Sequence, residues 1–178
     1  MLRLQGRDVY LAKLERADCR KLWTDYEYDY DCPAEELNIG ASDEAADRWF
    51  EEIQKLHFNT HVRLGVFLND GTVIGDVALQ DIDRANRRCT IGMGIARIDN
   101  RGRGYGQQAV RLMLDYGFRR LGLERIEAST LDINLKAQKS LEKCGFTLEG
   151  RARKAEYLNG EMRDKLYYAI LREEWRGE

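Results

Sequence analysis

Three glycines and two arginines stand together in Arg101-Gly102-Arg103-Gly104-Tyr105-Gly106, directly ahead of a stretch with helical periodicity. Glycine lets a backbone approach a ligand without Cβ clashes, and the first N–H groups of a helix have no partner inside it, so this composition suits a bound phosphate. The dinucleotide fingerprint fails here, because its third glycine would fall on Gln107. The P-loop fails too, since no Gly-Lys-Ser/Thr follows. Glu124 lies at about the spacing of a ribose-binding carboxylate, which leaves a nucleotide-binding module as one reading of the loop. Upstream, Gly92 and Gly94 within one strand point either to packing or to the close approach of a ligand.

A second group is acidic and aromatic. Tyr26, Tyr28 and Tyr30 alternate with Glu27, Asp29 and Asp31. Such a run can hold an ammonium group by charge and cation–π contact, or form a solvated loop. From Asp25 to Glu52 there are eleven acids against one base, Arg48, whereas residues 101–143 carry nine bases against five acids. That polarity reads either as solvated helix faces or as a cationic partner at one end and a phosphate-bearing one at the other. The acidic arm disfavours direct nucleic-acid binding. Cys19, Cys32, Cys89 and Cys144 form no C-x-x-C pair, and His57 and His61 are the only histidines, so no metal site is expected and the thiols read as small, reduced apolar side chains.

The elements that must position these groups follow from periodicity. The length of 178 residues and an apolar content of 43% predict a single domain, 1–178. No apolar run is long enough to span a membrane, and no secretory signal is seen, which predicts a cytoplasmic protein. Residues 9–14 read as a strand and 16–26 as a helix. Ser42 caps a second helix, with Asp43 and Glu44 in its first turn and Ala45, Ala46, Trp49, Phe50, Ile53 and Leu56 on its apolar face. Strands at 61–68, 72–82 and 89–96 are joined by turns at Asn69-Asp70-Gly71 and at 84–87. The helix opened by the glycine loop runs to about Leu121 before Gly122, a strand at 125–131 precedes a helix at 135–143, and 146–154 and 165–171 close a hairpin around Asn159-Gly160.

With these blocks in place the chain resembles the GNAT acetyltransferase superfamily. Arg101, Gly104 and Gly106 match its Arg/Gln-x-x-Gly-x-Gly/Ala motif. Asn134 and Ala137, followed by Glu142-Lys143-Cys144-Gly145-Phe146, match its Asn-x-x-Ala helix and Glu-Lys-x-Gly-Phe ending. Glu149-Gly150, Arg153, Gly160, Asp164 and Glu174-Trp175 are similar to the close of the branch holding ribosomal-protein N-terminal and spermidine acetyltransferases. The resemblance implies a mixed α/β fold, with a splayed, mostly antiparallel twisted sheet of about seven strands and about four helices. It implies acetyl-CoA as co-substrate in a wedge between strands 89–96 and 125–131. Backbone groups near Ile95 and Ala96 would pair with the pantetheine amides, residues Arg101, Gly102, Arg103, Gly104, Tyr105 and Gly106 would hold the pyrophosphate, and Asn134 would bond near the reactive end.

For the chemistry, transfer to an amine needs a neutral nitrogen, which makes Glu127 a candidate base, with a strand-end ion pair as its alternative. The resemblance places Glu27, Asp29 and Asp31 in the acceptor loop, for a polyamine, an amino-sugar or a protein N-terminus. Relatives carry a tyrosine acid where this chain has Leu141, which lies within about 20° of the face of Asn134, whereas Ser140 is about 120° away. The expectation is an acetyl-CoA-dependent N-acetyltransferase. The rival is a catalytically weak acyl-CoA-binding sensor, and a homodimer is left open.

Overall fold

The computed structural model describes residues 2–29, 42–57 and 59–177. Its elements run β1 (Arg3–Gln5), β2 (Val9–Ala12), α1 (Arg16–Thr24), α2 (Asp43–Leu56), β3 (Val62–Leu68), β4 (Val73–Asp83), β5 (Arg88–Ile95), α3 (Tyr105–Arg119), β6 (Arg125–Leu131), α4 (Leu135–Lys143), β7 (Thr147–Leu158) and β8 (Glu161–Leu171). Local chemistry sets their ends. Ser42 Oγ accepts from Ala45 N at 3.3 Å to start α2, and Asp18 accepts from the Glu15 amide at 2.9 Å to start α1. Gly71 at φ 92° turns β3 into β4, and Asn159 and Gly160 at φ 49° and 87° give the two left-handed residues of the β7–β8 turn.

Among the described residues, eight strands form one sheet in the order β1-β2-β3-β4-β5-β6-β8-β7. Every neighbouring pair is antiparallel except β5 and β6. Eight strands fit the expected sheet of about seven, with β1 the one that the sequence does not mark. β1 is only three residues long, too short to show a period, and its partner β2 fixes it through Leu4 and Leu11. The final hairpin is also longer than the sequence shows. Its register shifts between Ala152 and Glu156, where Lys154 takes a left-handed φ of 50°, and a bulge of that kind breaks the alternation that marks a strand.

Successive residues send side chains to opposite faces. One face packs on α3 and α4 through Val77, Leu79, Ile126, Tyr168 and Ile170 against Met113, Leu114 and Phe118. A Cβ on Gly117 would come within 2.9 Å of Ile126 Cδ1, so this glycine sets how closely α3 approaches the sheet. The other face carries α1 and α2 on a smaller core of Leu14, Cys19, Leu22, Ile53, Phe67, Val73 and Ala96. Among the described residues no helix is long and apolar enough to cross a membrane.

Candidate active site

The site begins with the one parallel strand pair. β5 and β6 share only Arg88 with Arg125, Cys89 with Ile126 and Thr90 with Glu127. Beyond these, β5 follows β4 as far as Gly75 with Ile95, while β6 follows β8 as far as Leu131 with Lys165. Two strand edges therefore diverge and face each other without a ladder between them, leaving a V-shaped slot. Unpaired backbone edges of this kind can be satisfied by a ligand that carries amides. Because β5 leads into the loop before α3 and β6 leads into α4, both helices start at the open end of the slot. Their N-termini bring partial positive charge there.

Which β5 groups face the slot follows from the ladder. Ala96 N donates to Ile74 O at 2.9 Å, so Ala96 is turned toward β4. The strict alternation of an antiparallel pair then turns Ile95, Met93 and Ile91 toward the slot. The Ala96 carbonyl accepts from Glu27 N at 2.9 Å and from Arg101 Nη2 at 3.1 Å, so both of its backbone groups have partners within the protein. Ile95 faces the slot, but its carbonyl accepts from Arg101 Nε at 2.9 Å, which leaves the amide for a ligand. Met93 was not singled out by the sequence; only the register reveals it.

At the open end, Gly102 and Gly104 have φ of 74° and 83°, and a Cβ on either would meet nothing within 4 Å. Their absent side chains thus permit the turn and keep its outer surface clear. The helical ladder of α3 begins with Gln108 N to Gly104 O at 3.1 Å, so the N–H groups of Tyr105, Gly106 and Gln107 have no acceptor in the helix. This is the geometry of an anion cradle. A Cβ on Gly106 would meet the tip of the Met93 side chain, which would have to move aside. The Arg103 guanidinium folds back on Asp99 O at 2.7 Å, and the Tyr105 ring packs on the main core, so these two offer backbone rather than side chain.

On the opposite lip, Asn134 caps α4 by accepting from Ala137 N at 3.0 Å. Gln138 Nε2 donates to the carbonyls of Leu131 and Asp132 at 3.1 and 2.9 Å, fixing the end of β6. Leu141 packs on the main core. Glu127 belongs to the closed end, where its Oε1 accepts from Arg125 Nε at 2.6 Å and lies 3.8 Å from Arg88 Nη1. Arg125 reaches on to Glu149 at 2.8 Å, and that contact holds the Glu149 carboxyl below the usual range. Glu127 is thus a rung of an ion-pair ladder across β5, β6 and β7, the alternative reading weighed for it from the sequence.

The acidic segment is also internally paired. Glu27 Oε2 accepts from Ile98 N at 2.7 Å, and Oε1 lies 3.5 Å from Arg97. Asp29 lies 3.1 Å from Lys136 Nζ. Basic groups distant in sequence thus already reach both of these carboxylates. Asp31 lies outside the described residues. Burial pushes the Cys19 and Cys89 thiols up to about 12.

Residues 8–147 match the model of the acetyltransferase (GNAT) domain, and the chain belongs to that family, whose members use acetyl-CoA as acyl donor. The probable N-acetyltransferase YjcK of Bacillus subtilis (strain 168) is 34% identical over 175 residues, 94% of this chain and 96% of the relative. The putative ribosomal N-acetyltransferase YdaF of the same organism is 37% identical over 111 residues, 62% of this chain. That match spans only 60% of YdaF's own length. Among solved structures, spermidine N-acetyltransferase from Vibrio cholerae in complex with CoA and spermine superposes with a TM-score of 0.82 at 25% identity, covering 95% of this chain and 98% of the other.

Proposed function

We propose that the protein is an acetyl-CoA-dependent N-acetyltransferase acting on a primary amine, a single domain working in the cytoplasm. The observation that carries this is the parting of β5 from β6 after Thr90 and Glu127, with the N-terminus of α3 at the open end. In this reading the N–H groups of residues 102–107 bind the pyrophosphate, and Ile95 N–H with the Met93 and Ile91 backbone pairs with the pantetheine amides. Asn134 keeps the α4 lip in place. The amine nitrogen attacks the thioester carbon, a C–N bond forms, the C–S bond breaks, and the amine proton passes to water. A thiol has a pKa of about 8.5, so the sulfur can leave as thiolate without a full proton donor, which makes the leucine at position 141 compatible with turnover.

The acceptor in this reading is a polyamine, an amino-sugar or a protein N-terminus. The Vibrio cholerae relative was solved with spermine, and YdaF is named for a ribosomal substrate, which supports a polyamine and a protein amine as acceptors. The names of the relatives are those of transferases, which weighs against a binding-only module. The experiment is thiol release from acetyl-CoA across a panel of polyamines, amino-sugars and N-terminal peptides. Release with one class and not with the buffer blank supports the proposal. Tight acetyl-CoA binding without release on any amine overturns it.

A further inference from the structure

We infer that Arg101 is a positioning residue for the acceptor segment rather than a ligand of the donor's phosphates; the inference rests on the acetyltransferase reading above. Its place at the head of the glycine loop suggests a phosphate contact, but the side chain turns the other way. Nε donates to Ile95 O at 2.9 Å, and Nη2 donates to Ala96 O at 3.1 Å and to Glu27 O at 2.7 Å. One half-buried guanidinium thus gathers two carbonyls from the end of β5 and one from a segment seventy-four residues earlier. A planar fork with several fixed donors suits three converging carbonyls better than a single ammonium does.

Glu27 is fastened in return through every polar group it has. Its amide donates to Ala96 O at 2.9 Å. Its carboxylate accepts from Ile98 N at 2.7 Å and faces Arg97 at 3.5 Å. Past this anchor, Tyr28 Oη accepts from Asn159 Nδ2 at 3.0 Å, and Asp29 meets Lys136 in the first turn of α4 at 3.1 Å. Residues 27–29 therefore cross the open end of the slot, from the β5 lip to the α4 lip and the β7–β8 turn. An amine approaching between the lips passes this strap, and Arg101 is the group that joins the strap to the loop carrying the anion cradle. Because Arg101 also caps Ile95 O, it fixes where strand-like pairing along β5 stops.

The test compares wild type with Arg101→Ala, Arg101→Lys and Arg101→Gln by calorimetric titration with acetyl-CoA, by amide exchange resolved at Glu27 and Ile98, and by kinetics with the best amine of the panel. In Arg101→Ala, loss of local protection should speed Glu27 exchange about tenfold or more. The acetyl-CoA Kd should stay within about threefold, while the amine KM rises about tenfold and kcat changes by less than about twofold. Lysine should recover part of the KM because it restores a donor, and glutamine should recover part because its amide can reach two carbonyls. If Arg101→Ala does not fold, Arg101→Gln supplies the same comparison with smaller shifts. A tenfold weaker acetyl-CoA affinity with unchanged Glu27 exchange would overturn the inference and return Arg101 to the phosphates. Should wild type acetylate no amine in the panel, the functional reading falls, and the exchange and calorimetry arms still decide the role of Arg101.

Discussion

At Glu127 two guanidiniums decide the chemistry. A carboxylate on the strand before Asn134 looks like a base when only its type and position are known, and the structure instead gives it Arg125 and Arg88 as partners. Glu127→Gln should lower the rate equally at all pH values, by less than about threefold, because the carboxylate is already held by two guanidiniums; losing half-exposed ion pairs, worth about 0–1 kcal/mol, shows in stability instead. Thermal denaturation should fall by no more than about 4 °C, following the usual conversion for a chain of this size. A pH–rate profile with a loss confined to low pH would restore the base. The buried thiols give a second expectation. Cys19 and Cys89, pushed up to about 12, stay protonated in the fold when ionised in the unfolded chain, whose thiols titrate near 9.0. Their contribution to stability is therefore complete below about pH 9 and lost as pH rises toward about 12. Peptide mapping after iodoacetamide at about pH 8 should find both unmodified in the folded protein and modified in urea, since the thiolate is the nucleophile.

At the scale of elements, the glycines of β5 separate packing from function. A Cβ at Gly92 would meet only Gln80 Oε1 at 3.5 Å, and one at Gly94 only Asp76 Oδ1 at 3.9 Å, both ordinary contacts. Neither position has a left-handed φ. Replacing either with alanine should hold or raise stability by up to about 1 kcal/mol, through the lower entropy of the unfolded chain. If the face beside the slot receives the acceptor, the same variants lose activity while their melting temperature does not fall, and paired melting and rate measurements separate the two. This face also shows what the sequence could disclose. The glycine loop, the helix caps and the turns at Asn69-Asp70-Gly71 and Asn159-Gly160 were legible because each is a local device. The slot was legible only through resemblance, since the divergence of β5 from β6 is a matter of register between strands thirty-seven residues apart. Which residues of β5 face the slot is hidden from the sequence for the same reason: one residue along a strand reverses which way its N–H and C=O point. The β7–β8 arm was cut short because Lys154 interrupts the alternation.

For the whole molecule the question is where the charge goes. Eleven acids against one base between residues 25 and 52 look like an open negative field when counted along the chain. Folding brings counter-ions from elsewhere. Arg20 meets Asp47 at 2.7 Å and Arg16 meets Asp47 and Glu51 at 3.4 and 3.5 Å, which pairs the acidic face of α2 with α1. Lys21 takes Asp25, Arg97 takes Glu27 and Lys136 takes Asp29. Among the described residues, Asp25, Glu27, Asp29, Asp47 and Glu51 are thus met locally, which leaves these groups little field with which to draw in a cation. The expected outcome is a KM for a polyamine that changes less than about twofold between about 0.01 M and 0.15 M salt, a range over which the screening length contracts from about 30 Å to about 8 Å. The double variant Glu27→Gln with Asp29→Asn should likewise shift the salt dependence of that KM very little. An unneutralised acidic funnel would behave differently, since steering of a charged ligand into such a cleft is worth about tenfold or more and collapses with salt. A KM for spermidine that rises tenfold over that salt range in wild type and stays flat in the double variant would show that Glu27 and Asp29 release Arg97 and Lys136 when a cationic acceptor arrives.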